Sequence, residues 1–177
     1  MTRTYKTEGI VLKRKNFGEA DKLLTIYTKH YGKIRAIAKG IRKTTSRKAG
    51  SLELFNHCVL FLAKGRNLDI ITETETINSF RSWRKSLTKV GFAYYFCELV
   101  DKLTPDGQPN RNVFELLKDY LERISIADLP VLSRSFEEHL LDELGFGIPL
   151  EIKSQPGSLK NYIESITERQ LNSPFSL

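Results

Sequence analysis

Residues 29–48, KHYGKIRAIAKGIRKTTSRK, contain eight lysines and arginines and no acidic residue. The first half of this stretch alternates like a half-buried strand, because successive side chains of a strand point to opposite faces. One face of the predicted strand carries Lys33, Arg35, Ile37 and Lys39, and the other carries Ile34, Ala36 and Ala38. The alternation therefore predicts a strand with a cationic open face and an apolar inner face.

The basic stretch continues past Gly40 without alternation, through a loop that contains Thr44, Thr45 and Ser46. A cationic strand that leads into a cationic loop suits a polyanion lying across a sheet. The alternative is an edge strand that its lysines keep soluble, because runs of charge are commonly solvated surfaces.

The composition is that of a globular protein, with 40% hydrophobic and 28% charged residues in a chain of 177. No apolar run approaches the roughly 18–20 residues of a membrane span. The first residues, MTRTYKTEGIVLKRK, lack the apolar core of a signal peptide. These features predict a cytoplasmic protein.

The net charge of +7 is unevenly distributed along the chain. Residues 1–80 contain 16 Lys and Arg against 7 Asp and Glu, whereas residues 81–177 contain 12 against 14. This asymmetry predicts two units with different roles, of which the first faces a polyanion.

Five short strands are predicted within residues 1–78, at about 8–14, 21–29, 33–39, 57–63 and 68–77. Turn-forming residues separate them, among them Asn16 and Gly18 after the first strand, Gly32 after the second and Gly65 after the fourth. Five strands of this length predict a small barrel. The five-stranded oligonucleotide-binding fold (OB-fold) fits their number and length.

Beyond residue 78 the apolar period changes from two residues to 3.6, which predicts helices. The first helix is expected to begin after Asn78 or Ser79, with a buried stripe of Phe80, Trp83, Leu87, Val90, Tyr94 and Cys97. Further helices are expected at 113–124 after a cap at Asn112, from Asp128 to a stop at Gly145, and at 158–171, with a frayed end at 172–177. The predicted fold class is α+β with two domains, an OB-fold barrel over residues 1–78 and a helical domain over residues 79–177.

Nucleic acids bind OB-folds on strands 2 and 3, with help from the loops that join strands 1–2 and 4–5. All of these parts are basic here, which favours a nucleic-acid interface over a solvated strand. The side chains of this predicted interface are Lys13, Arg14, Lys15, Phe17, Lys22, Tyr31, Lys33, Arg35, Lys39, Arg42, Lys43, Arg47, Lys48 and Arg66. The two aromatic residues, Phe17 and Tyr31, are expected either to stack on bases or to pack within their turns.

The sequence contains no phosphate-binding glycine loop and no Cys-x-x-Cys pair. Cys58 and Cys97 lie far apart among apolar residues and are predicted to be buried free thiols. Neither a cofactor nor a bound metal is expected, since a structural zinc site needs four ligands. Four acidic residues beside His139 could serve a metal-dependent nuclease, but their spacing is that of an exposed helix face: Glu137, Glu138, Asp142 and Glu143. The sequence favours a binding protein over an enzyme.

Closely spaced motifs occur in residues 7–55: GIVL at 9–12, Gly18-Glu19 followed by Asp21, Tyr31-Gly32, AKG at 38–40, and Arg42-Lys43. A second set, FEEHLLDELGF, occupies residues 136–146. The first set resembles the start of the RecO family of recombination mediators, and the second is similar to the last helix before that family's variable region.

The resemblance implies an N-terminal OB-fold barrel, a helical domain and no catalysis. It implies that the protein binds single- and double-stranded DNA and anneals complementary strands, including those coated by single-strand-binding protein. It also implies that the protein helps to load the RecA recombinase together with RecR, and in some cases RecF.

Two features depart from the family pattern. Many RecO proteins carry a four-cysteine zinc motif after the Leu-Gly-Phe segment, whereas GIPLE at residues 147–151 contains no cysteine. Family members also carry further helices, so the resemblance predicts a reduced helical domain.

The resulting hypothesis is a cytoplasmic, nucleoid-associated protein that binds and anneals DNA in recombinational repair. An RNA-binding OB-fold remains an alternative, because contacts with a 2′-hydroxyl cannot be identified from the sequence. The metal-dependent nuclease is the alternative from another class.

Overall fold

The computed structural model of the chain describes residues 3–155 and 157–171. Five strands come first, at Thr4–Phe17 (β1), Asp21–Thr28 (β2), Gly32–Ala38 (β3), His57–Ala63 (β4) and Asp69–Asn78 (β5). Five helices follow, at Leu87–Leu103 (α1), Arg111–Arg123 (α2), Leu129–Glu143 (α3), Leu150–Lys153 (α4) and Ser158–Thr167 (α5). The predicted barrel and the helical region after it are both confirmed.

The strands form a closed barrel in the order β1-β2-β3-β5-β4. The pairs are antiparallel except for β3 and β5, which run parallel where Ala36 and Ile37 face Asp69 and Ile70. The inner faces of the strands are apolar, as the alternation at residues 33–39 predicts. The barrel core consists of Val11, Leu24, Ile26, Ala36, Ala38, Ile41, Leu52, Cys58, Leu60, Leu62 and Ile71.

The first strand is longer than the sequence predicts. The turn expected at residues 15–18 instead begins after Phe17, because β1 remains paired with β2 as far as Phe17 and Asp21. With 14 residues, β1 is long enough to pair with two strands: its first half pairs with β4 and its second half with β2.

The contacts within the chain define two compact units. The first contains the barrel and extends to Phe80, and it also includes Pro105–Phe114, which lies between α1 and the body of α2. We call Pro105–Phe114 the crossing segment. The second unit contains Arg81–Thr104 and the chain from Glu115 onward. The predicted domain boundary near residue 78 remains a prediction, since contacts do not test whether either part folds alone.

The predicted start of the first helix is wrong by about two turns. The helix begins at Leu87, because Ser86 caps it by accepting a hydrogen bond from the Lys89 amide. Phe80 and Trp83 precede the helix yet are buried as predicted. Trp83 donates its indole N–H to the Leu121 carbonyl at 2.8 Å.

The buried stripe predicted for α1 is only partly correct: it includes Cys97, which is buried, but also Leu87 and Tyr94. Leu87 is 82% exposed and Tyr94 46% exposed, so these two residues face solvent. The buried residues of α1 are Gly91, Phe92, Ala93, Tyr95, Phe96, Cys97, Leu99, Val100 and Leu103. The sequence GFAYYFCELV is apolar on nearly every side, so its periodicity permits either phase and packing selects one.

Side-chain caps fix the starts of the next two helices. Asn110, two residues before the predicted cap, accepts a hydrogen bond from the Val113 amide, and α2 therefore begins at Arg111. Asp128 caps α3 as predicted, with its carboxylate accepting from the Val131 amide at 3.1 Å. The last described helix, α5, ends at Thr167 rather than 171, and the predicted frayed end at 172–177 lies outside the described residues.

Cys58 and Cys97 are both free and buried, as predicted. None of the helices in the described part of the chain has the length and apolar character needed to cross a membrane.

Gly32 provides a test of how the crossing segment packs on the barrel. Its φ is +68°, and a Cβ atom there would lie 2.3 Å from the Gln108 carbonyl oxygen. We expect Gly32→Ala to lower the free energy of unfolding by about 2–4 kcal/mol, because it adds a backbone clash to left-handed strain. Urea denaturation measures this loss.

Gly18→Ala is the matched control. Gly18 has a φ of +58°, and no atom lies within 4 Å of the position that a Cβ atom would occupy there. We expect this control to lose only about 1 kcal/mol. Equal losses for the two variants would contradict the packing of Gln108 against Gly32.

Candidate nucleic-acid interface

A β-bulge at Leu12 decides which way the basic half of β1 points. Val11 lies opposite Ile26 and faces the barrel core, whereas Lys13 lies opposite Thr25, so Leu12 is the extra residue between two registers. Under unbroken alternation Lys13 would share the inward direction of Val11. The bulge instead turns Lys13 outward, and Lys15 with it.

The three strands β1, β2 and β3 present two open rows of side chains on the outside of the barrel. Cross-strand neighbours lie on the same face of a sheet. The pairing places Lys13, Thr25 and Arg35 in one row and Lys15, Leu23 and Ile37 in the next. We call these six residues the basic face. Lys13, Lys15 and Arg35 are exposed, and the other three are half-buried.

The crossing segment covers the adjacent row of the same outer surface. This row contains His57, Ile10, Tyr27 and Lys33, and all four are buried. The Tyr27 hydroxyl donates to the Asn110 carbonyl at 3.5 Å, and the Phe114 ring meets the His57 ring edge-on at 5.6 Å. The outer surface of β1–β3 is therefore open only beyond this row.

The prediction that Lys33 lies on an open face is wrong. Its relative exposure is 8%, because the Gly107 amide donates to its backbone carbonyl at 2.9 Å and the crossing segment covers its side chain. The alternation of β3 is correct, but alternation cannot identify a segment more than 70 residues later that packs on the outer face.

Asp106 of the crossing segment pairs with both cations at this end of β3. Its Oδ1 lies 3.4 Å from Lys33 Nζ, and its Oδ2 lies 3.2 Å from Arg35 Nη2. The Asp106 and Arg35 side chains remain 55% and 59% exposed. Two cations thus converge on one carboxylate at the edge of the basic face.

At the other end of the basic face, the loop after β3 docks on the turn between β1 and β2. The Arg42 amide donates to the Ala20 carbonyl at 2.9 Å, and the Gly40 amide donates to Asp21 Oδ1 at 2.7 Å. These bonds bring four predicted interface residues close to the row of Lys15: Phe17, Lys39, Arg42 and Lys43, all exposed.

Two other predicted cations have partners away from the basic face, and a third lies on the inward register of its strand. Arg14 lies 2.9 Å from Glu53 and points to the opposite side of β1 from Lys13 and Lys15. Lys48 donates to the Ile71 carbonyl at 3.2 Å. Lys22 is half-buried opposite Ala38, on the inward register of β2. Arg47 and Arg66 are exposed, in the loop after β3 and the turn between β4 and β5.

The two predicted aromatic residues lie at opposite ends of β2. Phe17, 42% exposed, pairs with Asp21 where β2 begins, whereas Tyr31, 39% exposed, follows the end of β2. The separation along the strand is about 23 Å. Tyr31 packs on Tyr5, with ring centroids 4.6 Å apart, beyond the row that the crossing segment covers. Only Phe17 adjoins the basic face.

The opposite side of the barrel is acidic. On β5, Glu73 pairs with Phe61 and Glu75 with Val59, and both glutamates are exposed. Glu8 lies beside Val59 and contacts Lys29 at 3.3 Å and His57 at 2.9 Å. Burial alone would raise the pKa of Glu8, but these two partners hold it below its ordinary value. A basic face on β1–β3 thus opposes an acidic one on β4–β5.

The sequence places Ile37 on the open face but gives no sign that Leu23, Thr25 and Asp106 belong to the site. Leu23, Thr25 and Ile37 fill the space between the cations, and the cross-strand register brings Leu23 and Thr25 into the same two rows. Asp106 lies in the turn-forming sequence TPDGQP, which signals a helix end but not a position over β3.

The acidic residues of α3 do not gather into a metal site. Glu137 accepts a hydrogen bond from the Tyr95 hydroxyl at 2.5 Å, and Glu138 pairs with Arg134 at 3.1 Å. Burial raises the pKa of Glu137 above its ordinary value. Within residues 3–155 and 157–171, no group of three or more His, Cys, Asp or Glu side chains could hold a metal ion.

The buried position of Lys33 can be tested by charge reversal. We expect Lys33→Glu to lower the free energy of unfolding by about 1–3 kcal/mol, since it places a carboxylate under the crossing segment beside Asp106. Arg35 is the exposed partner of the same carboxylate, and Arg35→Glu should lower the free energy of unfolding by no more than about 1 kcal/mol. Chemical denaturation compares them, and equal costs would contradict the burial of Lys33.

Two family models match the chain. The model described as recombination protein O N terminal matches residues 1–80, and that described as recombination protein O C terminal matches residues 84–160. Together they span the barrel and most of the helical region.

Several curated relatives carry the name DNA repair protein RecO. The one from Pelotomaculum thermopropionicum is 40% identical over 149 residues, which are 84% of this chain and 58% of the relative. The one from a Roseiflexus species is 43% identical over 145 residues, 81% of this chain and 51% of the relative. The chain spans about half the length of these relatives. Because both family models match, in the order in which the barrel and the helices occur, the protein belongs to the recombination protein O (RecO) family.

Proposed function

We propose that this protein binds single strands of DNA across the basic face and brings complementary strands together during recombinational repair. The observation that carries the proposal is the pairing of β1, β2 and β3. It aligns Lys13 with Arg35 across Thr25. In the next row it puts Lys15 beside Leu23 and Ile37. Cations border half-buried apolar side chains on this surface. Cations and apolar side chains together suit a nucleic-acid strand, because cations bind its phosphates and apolar side chains contact its bases.

The geometry suits binding that does not depend on base sequence. Lys13 and Arg35 are separated by two strand spacings, about 10 Å, and both residues are exposed on the outside of the barrel. Long cationic side chains contact phosphates, which carry no sequence information. Leu23, Ile37 and Phe17 offer apolar surface to any base. Such a surface holds a strand while leaving the edges of its bases available for pairing.

The role in repair rests on membership of the RecO family. Relatives of this family are named DNA repair proteins. We propose that the chain acts without catalysis, as a mediator that works with RecR, with RecF in some settings, and with single-strand-binding protein to load RecA. The nucleoid in the cytoplasm is where such a protein would act.

The DNA-binding residues of the proposed site are those near the basic face: Lys13, Lys15, Phe17, Arg35, Lys39, Arg42 and Lys43. Arg47 and Arg66 would extend the path of a longer strand. Arg14, Lys22 and Lys48 would contribute little, because their side chains have other partners or point inward. Lys33 acts through its pairing with Asp106, and Tyr31 lies beyond the covered row.

The binding site can be tested with a double variant. We expect Lys13→Gln with Arg35→Gln to weaken binding of a labelled single strand at least about tenfold at low salt, because two charged contacts are lost. The slope of log affinity against log salt should become shallower by about 0.7 for each lost phosphate contact. Fluorescence anisotropy over a salt series measures both quantities.

Lys118→Gln with Arg123→Gln is the matched control. It removes the same charge from two surface cations that pair with Glu115 and Asp119 on α2. We expect binding close to that of the parent protein. If both double variants lose affinity equally, net charge rather than the basic face governs binding, and the proposal fails.

Tighter binding to structured RNA than to single-stranded DNA would favour the RNA-binding alternative instead.

Annealing provides a separate test of function. We expect the parent protein to accelerate pairing of two complementary strands, with and without single-strand-binding protein, because cations reduce the repulsion between two polyanions. The Lys13→Gln, Arg35→Gln variant should lose most of this acceleration. A parent protein that binds single strands but does not anneal them would contradict the mediator role and leave a simple binding module.

A further inference from the structure

The paired cations Lys33 and Arg35 form an anion site that Asp106 already occupies. One carboxylate oxygen lies 3.4 Å from Lys33 Nζ and the other lies 3.2 Å from Arg35 Nη2. A phosphate also has oxygens that can contact two neighbouring cations at once, so the same pair of cations suits a phosphate. Arg35 belongs to the basic face, so this site lies at the edge of the path proposed for DNA.

Backbone contacts hold the crossing segment on the barrel in addition to the carboxylate. The Gly107 amide donates to the Lys33 carbonyl at 2.9 Å, and a single parallel β-bridge joins Lys33 to Asp106. Gly32 permits a close approach to the Gln108 backbone that a side chain would prevent. The Asp106 side chain can therefore lose its charge without release of the segment.

The Asp106 carboxylate is accessible to an incoming strand. Its side chain is 55% exposed and that of Arg35 is 59% exposed. A phosphate that approaches Arg35 meets the negative charge of Asp106 beside it, and Lys33 beneath is already neutralised. Together the three side chains present a single net positive charge where two cations alone would present two.

We propose that Asp106 is an intramolecular competitor for a phosphate subsite at Arg35, to which the buried Lys33 beneath adds positive charge, and that it limits the affinity of the basic face for DNA. This inference rests on the proposed function. The subsite takes a backbone phosphate of a single strand, because Arg35 is aligned with Lys13 on the surface proposed to bind the rest of that strand. An annealing protein must release its product, and the carboxylate keeps binding reversible at this edge.

The direct test is Asp106→Asn, which keeps the shape of the side chain and removes its charge. We expect this variant of the whole chain to bind a labelled oligothymidylate about threefold to tenfold more tightly at low salt. The salt slope should steepen by about 0.7, the contribution of one additional phosphate contact. The gain in affinity should disappear at high salt, where exposed charges are screened.

Asp119→Asn is the matched control. Asp119 is 59% exposed and pairs with an arginine at 3.6 Å, so the change in net charge and the kind of ion pair lost are comparable. We expect its affinity for the oligothymidylate to equal that of the parent. If Asp119→Asn gains as much affinity as Asp106→Asn, the effect is one of net charge and the proposal is wrong.

A double-mutant cycle distinguishes competition from a purely structural role of Asp106. In an Arg35→Gln background the gain from Asp106→Asn should largely vanish, because the exposed cation that Asp106 releases is absent. An undiminished gain would contradict the subsite. Asp106→Ser provides a second uncharged variant, and melting temperatures show whether either change disturbs the fold.

The remaining outcomes separate this inference from the proposed function. A parent that binds no oligothymidylate would overturn both. A parent that binds with a steep salt slope, together with an Asp106→Asn variant of unchanged or weaker affinity, would overturn only the inference. An equal gain in affinity for polyglutamate would show a general anion site, and would overturn its assignment to a DNA phosphate.

Discussion

The β-bulge at Leu12 is the constraint on which the proposed binding surface depends. Side chains alternate strictly along a regular strand, so the core position of Val11 would direct Lys13 and Lys15 into the barrel. One extra residue reverses that direction for the second half of β1. The same strand can then contribute apolar side chains to the core in its first half and cations to the surface in its second.

The loop before β4 compensates for the ladder interrupted at the bulge. The Phe55 amide donates to the Val11 carbonyl at 2.9 Å, and the Val11 amide donates to the Asn56 carbonyl at 3.2 Å. Phe55 adopts a φ of +71°, which is costly for a residue with a side chain, and it is buried. Strain at Phe55 thus accompanies the hydrogen bonds that support the bulge.

The crossing segment covers one row of the outer surface of β1–β3 and leaves the next two rows open.

The sequence predicts the barrel, the basic character of its first unit and most strand positions, because these follow from alternation and turn residues over short distances. An apolar run such as GIVL at residues 9–12 gives no sign of an extra residue. The burial of Lys33 depends on Asp106 and its neighbours, which are remote in sequence. The predicted buried face of α1 is wrong at Leu87 and Tyr94 for a different reason. The helix is apolar on several sides, and only packing chooses among them.

The most direct measurement of the central claim is a titration of isotope-labelled protein with a short oligothymidylate, followed by backbone amide chemical shifts. The account predicts that the largest shifts occur at Lys13, Thr25 and Arg35 and in the neighbouring row at Leu23 and Ile37. It predicts small shifts on the acidic side of the barrel, at Val59 and Glu75. The largest shifts on β4 and β5, or on the helices, would contradict the claim that the bulge creates the surface on which DNA lies.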